Sequence, residues 1–162
     1  MAVEILTAET LLPRLPPRAR LMGIDLGTKT IGLAISDVER RIASPLETIQ
    51  RTKFGKDAAQ MLALAKTYEI AAFVIGLPLN MDGSEGPRAQ ATRAFVRSFG
   101  ALDPRPFVLQ DERLSTAAVT RQLIEQNASR ARRAEVVDRM AAAYILQGVL
   151  DRLDRLTPEQ DD

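Results

Sequence analysis

The chain contains no cysteine and no histidine. Those absences exclude disulfides, thiol nucleophiles, zinc sites built on Cys and His, and every general base that relies on an imidazole. A long apolar run is also missing, and the first residues, MAVEILTAET, do not place a basic stretch before a hydrophobic one. A soluble cytoplasmic protein with no membrane partner is the expectation. Charge of one sign is lacking too: Lys+Arg number 22 against Asp+Glu 21, for a net charge of +1. A nucleic-acid partner therefore cannot be read from bulk charge and would need local clusters of arginine and lysine. What remains for chemistry is carboxylates, hydroxyls, lysines, or a cation held by oxygen. The 162 residues suit one domain with a real core.

Residues 1–20 end in LLPRLPPRAR, where three prolines and three arginines in a short space read as an extended, flexible leader outside the fold. Residues 157–162, TPEQDD, read as an acidic tail. Between them, residues 21–156 form the expected domain. In LMGIDLGTKTIGLAISD two apolar runs flank GTKT, and Ile31, Leu33 and Ile35 alternate with smaller residues, which predicts a β-hairpin. IASPLETIQ predicts a third strand, with Pro45 placing it at a sheet edge. Ala58, Met61, Leu62 and Ala65 recur at helical spacing, and AAFVIGLPL follows as a buried strand. The pattern repeats: a helix opens at Pro87, RPFVLQDE is a strand, and STAAVTRQLIEQ is a helix capped by Ser115. The last helix, EVVDRMAAAYILQGVLDRL, puts Val137, Met140, Ala141, Tyr144, Gly148 and Leu153 on or near one face. A hairpin followed by alternating helices and strands is an α/β fold, with a mixed sheet and helices on its faces.

Three carboxylates stand out. Asp25 lies inside an apolar strand, out of phase with Ile24 and Leu26, on the side where Gly23 and Gly27 leave room. Glu112 sits where a strand runs out into a helix start, a common place for ligand sites in α/β sheets. Asp138 is expected in the opening turns of the last helix, where the helix N-terminus and Arg130, Arg132 and Arg133 would favour its ionised form. Taken singly, each is more usually a turn residue, a cap or a dipole partner, and spacing alone does not decide. Converging acids repel one another, and a divalent cation held by oxygen, Mg²⁺ or Mn²⁺, resolves that repulsion; two such ions suit phosphodiester hydrolysis.

GTKT lacks the glycine that a P-loop needs directly before its lysine, so it reads as a hairpin turn with Lys29 exposed for a phosphate. GLPLNMDGSEGPRAQATRAF carries more turn chemistry than a plain link needs, as functional loops often do. Arg88, Arg93 and Arg97 on the following helix read as a solvated face. Arg51, Lys53 and Lys56 form a further, weaker basic cluster.

MGIDLGTKTIGLAISD, VIGLPLNMDGSEGPRAQATRAF, DERLSTAAV and EVVDRMAAAYILQGVLD, in that order, resemble the YqgF/RuvX family, whose members are described as pre-16S rRNA nucleases and as Holliday junction resolvases. The resemblance spans about residues 20 to 153. It implies an RNase H-like fold, a five-stranded mixed sheet with the first hairpin at its centre. It implies that Asp25, Glu112 and Asp138 are catalytic and ligate the metal, with Lys29, Arg113, Arg130, Arg132 and Arg133 on the nucleic acid. Asp111, Asp37 and Asp82 stand as candidates for a fourth acid. Ser115 stands where a threonine is frequent in such proteins, and it keeps the hydroxyl cap.

The activity so implied is a metal-dependent nuclease acting on the 5′ end of pre-16S rRNA within the small-subunit precursor, as a monomer or a homodimer. Junction-specific DNA cleavage is the alternative nuclease and would need a symmetric dimer. Actin-like ATPases and sugar kinases open with a similar GIDLGT hairpin, but they close a second related domain over the nucleotide, for which this length leaves no room. A non-catalytic ribosome assembly factor is the third reading.

Overall fold

The structure is a computed structural model that describes residues 2–112 and 130–158, with side chains in the last helix described from residue 138. Its centre is one six-stranded mixed sheet. In chain order the strands are β1 (Ile5–Leu6), β2 (Arg20–Leu26), β3 (Thr30–Ser36), β4 (Ala43–Gln50), β5 (Ile70–Leu77) and β6 (Phe107–Asp111). In space they run β1-β6-β5-β2-β3-β4. β2, β3 and β4 pair antiparallel, and β5 and β6 add parallel to β2, as the hairpin-then-alternation pattern predicts. Four helices are described: α1 (Ala8–Leu11), α2 (Phe54–Thr67), α3 (Pro87–Gly100) and α4 (Arg130–Leu156). None of them is long and apolar enough to cross a membrane.

The sixth strand comes from the segment expected to lie outside the fold. Ile5 and Leu6 pair parallel with Phe107 and Val108, and the Phe107 amide donates to the Glu4 carbonyl at 2.9 Å. Thr7 and Thr10 then make a reciprocal capping box that starts α1, whose Ala8 and Leu11 are buried against α4. The prolines and arginines that suggested a leader occupy the connection after α1, where Pro13 sits in a 3-10 turn and Arg14 pairs with Glu4 at 2.6 Å. Two apolar residues on each side of a threonine cap are too short a signal to compete with that composition. At the other edge, Pro45 lies on β4 opposite Ala34, where the ladder slips by one residue, so its missing N–H costs little.

Strand alternation sorts the core into two layers. Met22 and Ile24 of β2, Ile31 and Leu33 of β3, and Phe73 and Ile75 of β5 face α2 and α3. Leu21, Ala34, Ala72, Val74 and Val108 face α4 and α1. The helix expected over 115–126, with its Ser115 cap, lies outside the described residues, as does the tail from residue 159.

Candidate active site

Asp25 belongs to the α4 side of the sheet, because it alternates with Ile24 and Leu26 and shares its phase with Leu21 and Gly23. It is 5 % exposed and pairs across the β2–β3 ladder with Gly32. Gly32 is there because α4 crosses directly above it: a Cβ at that position would stand 2.0 Å from the Asp138 carbonyl oxygen. One helical turn on, a Cβ at Gly23 would stand 2.7 Å from the Ala142 carbonyl oxygen. The two glycines let the helix backbone lie on the hairpin, and Asp138 comes with it.

Glu112 reaches the same face from the other side. It follows the last residue of β6, and its phase matches Val108 and Gln110. Its amide donates to the Leu77 carbonyl at 3.3 Å. Its carboxylate lies over Gly76, where a Cβ would be 1.8 Å from Oε1. Gly76 follows Ile75, the register partner of Ile24, so it stands level with Asp25 on the neighbouring strand. The three acids thus share one face and one end of the sheet, at the C-terminal ends of the parallel strands where α/β folds place their ligands.

Thr30 is the residue that sequence reasoning missed. It is 8 % exposed, and its hydroxyl donates to the Asp138 carboxylate. The signal was present, since Thr30 shares the β3 phase of Gly32 and Ala34, but it gains meaning only once α4 is known to lie on that phase. The turn itself is closed by the Gly27 amide on the Thr30 carbonyl at 2.9 Å, so Gly27 shapes the hairpin, and the room beside Asp25 comes from Gly23 and Gly32. Lys29 at its tip is exposed, as expected. Arg51 braces the same turn, donating through Nη1 to the Gly27 carbonyl at 2.6 Å and through its amide to the Lys29 carbonyl at 2.9 Å.

Two expectations change in detail. α4 starts at Arg130, so Asp138 lies two turns in, beyond the first turn where a helix terminus acts on a charge. Arg130, Arg132 and Arg133 occupy that start instead, and Arg113 lies outside the described residues. The inward stripe of α4 is rotated from the expected one: Ala141, Ala142, Ile145, Leu146, Val149, Leu150 and Leu153 are buried, while Tyr144 is 36 % exposed. Close approach to glycine selects alanine for the inner face and leaves the tyrosine outside.

Of the candidates for a fourth acid, Asp37 sits beyond the far end of β3 and accepts the Arg41 and Ile42 amides at 2.8 and 3.0 Å. Burial would raise its pKa, but those amide hydrogen bonds outweigh it and hold the carboxyl below its ordinary range. Asp82 accepts the Ser84 amide and hydroxyl within its loop. Asp111 is exposed on the last residue of β6, one strand position out of phase with Glu112. Among the described residues no three Asp or Glu side chains are grouped so as to hold a metal ion as they stand. The donor chemistry fits a hard divalent cation nonetheless, since the face offers only oxygen, from three carboxylates on three elements.

Comparison with known proteins bears on the family and the fold. The model of one family, described as RuvX: Holliday junction resolvase, matches residues 19–152. A protein of Methylocella silvestris named "Putative pre-16S rRNA nuclease" is 70% identical over 96% of this chain and 97% of its own. A protein of Rhizobium meliloti with the same name is 60% identical over 95% and 93%. Among solved structures, the RuvC of Thermus thermophilus in complex with a Holliday junction substrate superposes with a TM-score of 0.52 at 16% identity, covering 84% of this chain and 96% of that one, which establishes a common fold. With the family model spanning most of its length and near relatives along nearly all of it, this chain belongs to the RuvX family.

Proposed function

We propose that the protein is a divalent-metal-dependent nuclease that trims the 5′ end of pre-16S rRNA in the cytoplasm. One observation carries the reading: Gly32 and Gly76 bring Asp138 and Glu112 onto the face and sheet end where Asp25 is buried. Asp25, Glu112 and Asp138 would hold Mg²⁺ or Mn²⁺, two ions in the full site, and such ions when bound activate a water and stabilise the leaving oxygen. The chain's own groups do the rest. Thr30 orients Asp138 through its hydroxyl, and the closed Gly27–Thr30 turn presents Lys29 to a phosphate beside the cut. Arg113, Arg130, Arg132 and Arg133 extend the phosphate contacts. The names of the relatives support pre-16S rRNA as substrate, and the family description keeps branched DNA as the second substrate to be tried.

The test is cleavage of a precursor rRNA fragment and of a four-way DNA junction with Mg²⁺ or Mn²⁺, comparing wild type with Asp25→Asn. The wild type should cut the rRNA, and the variant should lose about 100-fold or more. Equal cutting by both proteins would remove Asp25 from the site, and binding of both substrates without cutting would make the protein an assembly factor.

A further inference from the structure

The basic residues around the start of α2 are brought to the active-site end of the molecule by the bracing of the hairpin turn. Arg51 follows β4 and is tied to the turn through the Gly27 and Lys29 carbonyls. The chain then enters α2 with its geometry locked, because the buried Asp57 carboxylate accepts the Thr52 amide and hydroxyl at 3.1 Å. Lys29, Lys53 and Lys56 are therefore held around one corner, and all three are exposed. Among the described residues none of the three forms an ion pair. The acids of the adjoining elements are otherwise engaged, Asp57 with Thr52 and Glu47 with Gln60 at 3.4 Å. Between the two lysines Gly55 is exposed, and a Cβ there would meet nothing within 4 Å, so the backbone is open to solvent.

We propose that Lys53 and Lys56, with Lys29, form a second phosphate track that carries the nucleic-acid strand away from the cleavage point, around the end of the sheet where β4 gives way to α2. Gln50, the last residue of β4, pairs with Thr30, so the chain leaves β4 at the sheet end that carries Asp25 and turns there onto the face covered by α2. The three lysines attract the backbone irrespective of sequence and set its direction away from the acids. Arg51 is a brace of the turn, and the track does not depend on its charge.

The inference rests on the nuclease reading for its geometry, but its test does not require cutting. A fluorescein-labelled RNA stem-loop with a single-stranded extension is titrated with the full-length protein in EDTA, and anisotropy is followed across a salt series. The double variant Lys53→Glu/Lys56→Glu should bind about tenfold more weakly or worse, with a salt slope reduced by about 1.5. Lys66→Glu/Arg97→Glu, with the same change of charge at the far ends of α2 and α3, should bind within about twofold of wild type. If the charge reversal disturbs folding, seen as a shifted thermal midpoint, Lys53→Gln/Lys56→Gln should still show the reduced slope. Wild-type affinity and slope in both lysine variants would overturn the track, as would an equal loss in the far-end control. A wild type that binds through the lysines but cuts neither RNA nor DNA would sink the nuclease and leave the track standing.

Discussion

On the side of the sheet covered by α2 and α3, all five phenylalanines of the chain gather: Phe54, Phe73, Phe95, Phe99 and Phe107. Phe99 meets Phe73 and Phe107 edge-on with ring centres 5.1 and 5.7 Å away, and Phe73 stacks on Phe107 at 5.1 Å. On the side covered by α4 there is no phenylalanine, and the sheet meets the helix through Gly23, Gly32 and Gly76. The first face fills space with large rings, which stabilise by area and tolerate small displacements. The second removes side chains so that backbone and carboxylates come within contact, and there a displacement of one methyl group matters. The large rings gather on one face, and the three carboxylates on the other.

That division can be broken experimentally. Phe99→Ala on the bulky face should produce the largest effect, destabilising the fold by about 3–5 kcal/mol in urea denaturation, while the protein that remains folded keeps its cleavage rate. A proportional loss of specific activity would mean that the two faces are coupled. On the other face, Gly32→Ala drives a methyl group into the Asp138 carbonyl, which is backbone and cannot turn aside. It should cost about 1–3 kcal/mol and roughly 100-fold in cleavage by the folded protein.

Gly76→Ala sharpens the comparison, since its methyl group meets first the tip of the Glu112 side chain, a group that can swing away. Its stability loss should be the smaller of the two, about 1 kcal/mol, with activity still falling at least tenfold. Thermal melts beside single-turnover rates would separate the pair. Thr30→Val should have the smallest effect, about 1 kcal/mol and a rate reduced roughly tenfold, with Thr30→Ser restoring both because it keeps the hydroxyl on Asp138. Equal rates for the valine and serine variants would leave Thr30 a packing residue.

The strands from β2 to β6 and the helices α2 and α3 were legible because each buries a whole periodic face: Ala58, Met61 and Ala65 recur at helical spacing and are all fully buried. β1 was not, since two residues carry no period and the prolines after them argue the other way. Within the site, Asp25 announced itself as a charge inside an apolar strand. Glu112 and Asp138 were candidates by position, a strand exit and a helix start, but the family resemblance is what set them beside Asp25, because such carboxylates are ordinary on local grounds. Thr30, Gly32 and Gly76 gained meaning only in the fold, for their partners are distant in sequence: Thr30 and Gly32 meet Asp138, and Gly76 meets Glu112.

By itself, then, the amino-acid sequence determined the chemistry available, oxygen donors and lysines with no imidazole or thiol, and the order of its periodic elements. Both depend on residue type and near-neighbour spacing. Only the tertiary structure decided which face of the sheet receives the acids, that the N-terminal segment adds a strand to the sheet, and that Arg51 ties the end of β4 to the hairpin turn. Those outcomes depend on how closely α4 and β4 approach the central hairpin, a distance set by side chains that are absent as much as by those that are present.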